Sequence, residues 1–231
     1  MTSTLPVSAR LAWWGTAWLR GQVSPDELLD EVEGAGTMLA TFASWRSAGC
    51  TGLALALPVE GDPLGLRGSE LSLAAFDAGE AVIALGTGWA VVPAEDGWQV
   101  VAGERSPVPD LGEADRGLRA ALVETARRLA ELDVARWRPE VADLLMNLRH
   151  RPHLDHPAAL DSRCVDLAAR ALQAADVVAV ALEDDGASVT AYEMEQRRDA
   201  LTVLDRAARR ALVAGCSPDV WPPDADARPA G

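Results

Sequence analysis

The sequence predicts an α+β fold, with a small antiparallel sheet and N-terminal helices followed by a C-terminal bundle of about four amphipathic helices. Three observations predict it. Short apolar runs between Leu53 and Val101 are separated by glycine-bearing turns, and Ser24-Pro25-Asp26-Glu27 marks a helix start ahead of them. From Gly112 onward, apolar residues recur at helical spacing instead.

The first helix is expected over residues 6–20, where Leu11, Trp14 and Trp18 share a face and Trp13 lies beside them, and it breaks at Gly21. Ser24 is suited to cap a second helix, with Pro25 in its first turn and Glu27 able to close a capping box; that helix should stop at Gly34. Residues 37–46 read as a strand or a short helix. Leu53, Leu55, Leu57 and Val59 alternate with Ala54, Ala56 and Pro58, the pattern of a half-buried strand with one bulky and one small face. A loop over residues 61–68 and a helix over 69–79 follow. Runs at 81–85, 89–92 and 98–101 then form a meander, because Gly86-Thr87-Gly88 and Ala94-Glu95-Asp96-Gly97 are turn chemistries; a tight second turn sets Val91 opposite Val100.

In the helical half, Leu118, Leu122, Thr125, Leu129 and Leu132 form one stripe, and a shorter helix carries Val141, Leu144, Leu145 and Leu148. Leu160, Cys164, Leu167, Ala171, Ala174, Val178 and Leu182 form the next. The last helix carries Met194, Leu201, Leu204, Ala208 and Leu212, and its alanines allow close antiparallel packing on its predecessor. These elements divide the chain into an α+β module over residues 1–110, a helical module over 111–216, either separate or one cooperative domain with the first, and a flexible tail rich in proline and aspartate over 217–231.

Composition limits the function classes. The net charge is −14, from 35 acidic and 21 basic side chains, every one of the latter arginine. Such an excess repels a phosphate backbone and an anionic membrane, so neither nucleic acid nor membrane is an expected partner. The eight arginines between Glu113 and Arg151 do not overturn this, because acids are interleaved with them. Cys50, Cys164 and Cys216 are far apart and form no CxxC, which argues against a disulfide framework and for a reducing compartment. The apolar run from Leu11 to Leu19 is too short to span a bilayer and is bracketed by Arg10 and Arg20, so a cytoplasmic protein is expected.

All three histidines fall in one stretch, His150-Arg151-Pro152-His153-Leu154-Asp155-His156. His150, His153, His156 and Asp155 are ligand types for a divalent metal such as zinc, and three ligands with an open position suit metal-assisted hydrolysis. Against this, Pro152 and Pro157 break the helix that would align the rings, which favours a simple connector. Gly86-Thr87-Gly88 lacks a third glycine and a following helix, and no phosphate-binding GxxxxGK[ST] occurs, so no nucleotide cofactor site is expected. No GxSxG elbow is present either. Cys50 is a nucleophile only if a distant histidine folds beside it.

Eight tryptophans accompany two phenylalanines and one tyrosine, so the indoles carry most of the chain's aromatic area. One helix is not expected to aim Trp13, Trp14 and Trp18 into a single seam. Core packing is the favoured role for these indoles, and Trp13, Trp18 and the isolated Trp221 are the candidates if some of them form an exposed interface.

With no catalytic set standing out, the sequence favours a non-enzymatic cytoplasmic adaptor or regulatory protein. It would bind a protein partner or itself through its helical half and exposed tryptophans. A metal-binding protein or metal-dependent enzyme centred on the histidines is the alternative, and a small-ligand pocket lined by Trp89 and Trp98 is a third reading. Gly61-Asp62-Pro63-Leu64-Gly65-Leu66, Ala78-Gly79-Glu80-Ala81-Val82 and Asp133-Val134-Ala135-Arg136-Trp137-Arg138-Pro139-Glu140 resemble segments of hypothetical proteins of high-GC actinobacteria. That resemblance implies no particular activity.

Overall fold

Eleven residues of the first helix, α1 (Val7–Leu19), are buried, so it is apolar around its whole circumference and not along one stripe. In the computed structural model, which describes residues 4–132, 152–182 and 191–221, α1 is the central helix of an α+β unit. That unit comprises Leu5–Val108, Asp155–Val165 and Gly215–Gly231; Pro109–Leu154 and Asp166–Ala214 belong to a second, helical unit. Residues 155–165 and 215–216, inside the helical module expected over 111–216, thus group with the α+β unit. Buried Leu160, Cys164 and Cys216 lie in these two stretches.

Helix α2 (Pro25–Glu31) begins as its capping residues dictate. The Glu27 amide donates to Ser24 Oγ at 3.2 Å and the Ser24 amide donates to the Glu27 carboxylate at 2.7 Å. The same hydrogen bonds hold the Glu27 carboxyl below its ordinary pKa. Replacing Ser24 by alanine should lower stability by about 1 kcal/mol in urea denaturation, whereas threonine should retain most of the cap. Residues 37–46 prove helical, within α3 (Ala35–Ser47), where Met38, Phe42 and Trp45 supply a buried face at helical spacing. The junction of α2 and α3 is fixed by the Trp98 indole, whose N–H donates to the Glu33 carbonyl at 3.2 Å.

Four antiparallel strands, β1 (Leu53–Ala56), β3 (Ala81–Ala84), β4 (Trp89–Ala94) and β5 (Gly97–Ala102), form a sheet in the order β1-β3-β4-β5. Gly86 and Gly88, both at positive φ, make the first hairpin turn. Ala94 pairs with Gly97 around Glu95-Asp96, and this tight turn places Val91 opposite Val100 as the sequence predicts. A separate two-stranded ladder pairs β2 (Leu66–Arg67) with β6 (Glu104–Arg105).

Strand β1 corrects one expectation, because it is buried on both faces and not one. Its bulky face lies against α1, where Thr16 Oγ1 accepts the Leu53 amide at 2.9 Å. Its small face joins the core beneath α4 (Ser69–Ala78), in which Leu71 and Ala75 pack with Ala56, Ala81, Ile83, Ala90, Val92 and Val101. Alternation therefore separates two packed layers here and does not separate core from solvent.

The helical unit is built by α5 (Leu111–Leu132), most of α6 (Ser162–Leu182) and most of α7 (Ala191–Gly215). Leu118 and Thr125 on α5 are buried, and Thr125 Oγ1 donates to the Ala200 carbonyl of α7 at 3.2 Å. Arg170 of α6 pairs with Asp115 of α5, and Arg197 of α7 donates to the Ala181 carbonyl at 3.1 Å. Buried alanines, including Ala121, Ala171, Ala174 and Ala208, let these helices approach closely. The short helix expected over 141–148 lies outside the described residues. Among those described, no helix is long and apolar enough to cross a membrane.

Candidate interaction site

The described members of the histidine cluster do not assemble a metal centre. Pro152 and Pro157 hold the segment out of a helix, His153 and Asp155 are exposed and already engaged in other interactions, and His156 Nδ1 lies 3.1 Å from the Pro157 carbonyl. His150 lies outside the described residues. Among the described residues, no three His, Cys, Asp or Glu side chains converge as ligands.

The three tryptophans named as interface candidates are buried within the chain, in the core-packing role favoured for them. Trp13, which was expected to sit off to the side, is the most enclosed at 0% exposure, and its Nε1 donates to the Gly215 carbonyl at 3.1 Å. Trp18 is 8% exposed and carries the Arg46 guanidinium 5.4 Å above its ring; Trp221 is 5% exposed beneath that of Arg20. The physical reason is the enclosure of α1. The sheet, α2, α3 and the turn before Trp221 all pack on it, so its faces are covered by other parts of the chain. Trp89 and Trp98 do not line one pocket either, because Trp89 opposes Ala102 and Trp98 opposes Pro93, at opposite ends of the hairpin.

The cysteines fit structural roles. All three are free and buried. Burial raises the Cys164 thiol to about 11, pushes Cys216 well above its ordinary value and lifts Cys50 in the same direction. Native protein at pH 8 should therefore resist iodoacetamide at every thiol, whereas denaturant should open all three to labelling, as intact mass would show. Rapid labelling of native Cys50 would identify a reactive thiol.

What the helical unit does present is an open groove between α5 and α7, with a volume of about 490 Å³. Gly117, Ala120 and Ala121 from α5 and Val203 and Ala207 from α7 line it, and Glu124, Arg206 and Arg210 supply its polar atoms. The helices are positioned by the seam beside it, through Leu118, Leu201, Leu204 and the Thr125–Ala200 hydrogen bond. Glu124 receives hydrogen bonds from Arg127 and Arg128, which hold its carboxyl at about 2, so this edge stays ionised at any physiological pH. Val123 is 72% exposed and Val203 44% exposed, although valine is a residue type usually found inside. The stripe through Leu118 and Thr125 drew the sequence reading to the seam and away from this neighbouring face. The available signal was Gly117 and Ala120, small residues at exposed positions where an outward helix face normally carries charge.

No curated protein and no solved structure matches the chain. Two family models do, meeting at residue 112: the N-terminal domain of Rv1486c-like proteins over residues 8–112 and their C-terminal domain over residues 112–213. This agrees with the resemblance to hypothetical actinobacterial proteins, and the second domain holds every residue of the groove. Carrying both domains in order, the chain belongs to the Rv1486c-like family.

Proposed function

We propose that the protein is a non-enzymatic cytoplasmic adaptor or regulatory protein that binds an amphipathic helix of a partner protein through α5 and α7. The observation that carries this reading is the groove, whose small-residue lining admits a helix to close range. Val203 offers an exposed apolar contact beside polar edges of both signs. Burial of the tryptophans removes them from the binding surface and leaves the helical half as its site. The buried free thiols fit a reducing compartment.

The test is quantitative affinity capture from native cells with full-length bait. Ala120→Arg fills an exposed groove position, and Leu73→Arg on the exposed face of α4 is the control. A partner recovered by wild type and by the control should fall about tenfold with Ala120→Arg, the scale expected when an interface contact is removed. Equal recovery by all three baits overturns the groove as the binding site. Native mass spectrometry of the same samples identifies a second copy as the occupant if the mass doubles. A stoichiometric metal in that spectrum would favour the histidine reading instead.

A further inference from the structure

The segment Ser217–Trp221 makes no regular pairing with a neighbouring strand or helix, yet side chains from distant parts of the α+β unit grip it. Arg105 Nη1 meets the Asp219 carboxylate at 2.7 Å, and Arg105 Nη2 donates to Ser217 Oγ at 2.7 Å. Ser217 Oγ also accepts the Asp219 amide at 3.3 Å and donates to Asp219 Oδ2 at 2.9 Å, so the segment's polar groups present a single pattern to one guanidinium. Arg20 reads the other end. Its Nη2 donates to the Pro218 carbonyl at 3.3 Å, its guanidinium lies 5.7 Å from the Trp221 ring centroid, and its Nε is anchored on the Thr51 carbonyl at 3.0 Å.

Between the arginines the floor is bare. A Cβ on Gly52 would stand 2.5 Å from Pro218 Cβ and 2.9 Å from Cγ, so only glycine leaves room for the proline ring. A proline on a flat backbone floor, a buried tryptophan and two arginines reading carbonyl, hydroxyl and carboxylate form a set typical of linear-peptide recognition. The segment also lies beyond both matched family domains, the second of which ends at residue 213.

We infer that Arg20, Gly52 and Arg105 form a peptide-recognition groove that the chain fills with its own Ser217–Trp221. Its partner class is a protein segment with a Ser-Pro-Asp-x-Trp pattern, which competes with the chain's own copy. A tethered copy acts at an effective concentration in the millimolar range, so the wild-type groove stays closed to dilute peptide and opens once the tether's contacts are weakened. The inference is independent of the groove on α5 and α7.

The test uses full-length protein and acetyl-Ser-Pro-Asp-Val-Trp-amide carrying a fluorophore, read by anisotropy. In the double variant Asp219→Ala, Trp221→Ala the peptide should bind at least about tenfold more tightly than in wild type, and adding Arg105→Ala should abolish the gain. Equal affinity for wild type and double variant overturns the proposal, as does an unchanged affinity on adding Arg105→Ala. Hydrogen exchange on the wild type gives a reading that needs no variant. Amides of residues 217–221 should exchange by local opening, faster than the core amides of β3. Exchange only with global unfolding, or a double variant that loses its native circular dichroism, makes the segment a permanent part of the core and overturns the proposal.

Discussion

Replacing Trp13 by alanine should lower the unfolding free energy by about 4 kcal/mol, the largest single-site loss expected in the α+β unit. The indole is fully enclosed, so truncation leaves a large cavity among residues already packed in sheet and helices. It also strips the Gly215 carbonyl of its donor inside the core, which adds an unsatisfied acceptor to the cavity. Trp13→Phe separates these effects. It keeps most of the apolar volume, leaving a smaller cavity, and still loses the hydrogen bond, so its loss should be about half as large. Urea denaturation of the three proteins gives the comparison, and a Trp13→Ala loss under ~1.5 kcal/mol would show that the pocket collapses around the smaller side chain.

Gly103→Ala should be the second costly change, by about 1–3 kcal/mol, although it adds a single methyl group. A Cβ there would lie 2.6 Å from Leu71 Cβ and 3.0 Å from Cγ. Leu71 is fully buried and its Cβ is fixed to the α4 backbone, so no rotamer change relieves the overlap and the helix itself must move off the sheet. Gly15→Ala is the internal control. Its closest overlap is with the terminal Leu53 Cδ1, which a rotamer change can withdraw, and alanine gains up to ~1 kcal/mol of helix propensity within α1. Thermal melts of both variants should therefore show a clear fall for Gly103→Ala and a much smaller one for Gly15→Ala. Equal falls would mean that α4 is free to yield.

Local chemistry made part of this fold legible in the sequence. Ser24 and Glu27 are three residues apart, as a capping box needs, and the turn at Glu95-Asp96 fixed the Val91–Val100 register without help from the rest of the chain. Features whose causes are remote were harder to read. Trp13 looked surplus on an amphipathic helix because its acceptor is 202 positions away, and β1 looked half-buried because alternation does not say whether a second layer covers the small face. His153 and His156 drew attention through residue type, but Pro152 and Pro157 keep their segment out of a helix. The groove was hidden for the opposite reason: small residues on α5 carry little local signal until the placement of α7 makes them the wall of a depression.

The hydrogen bond from Trp13 to Gly215 also sets an order of events during synthesis. The first helix emerges some 202 residues before the carbonyl that completes its surroundings. At roughly 5–20 residues per second, that interval is about 10–40 s, during which the Trp13 N–H lacks its native acceptor. Ser217–Trp221 arrives later still, bringing the partners of Arg20 and Arg105. The α+β unit is therefore completed last although its strands are made first. A fragment ending at residue 112, where the N-terminal family domain stops, would keep every strand and lack the residues that close it.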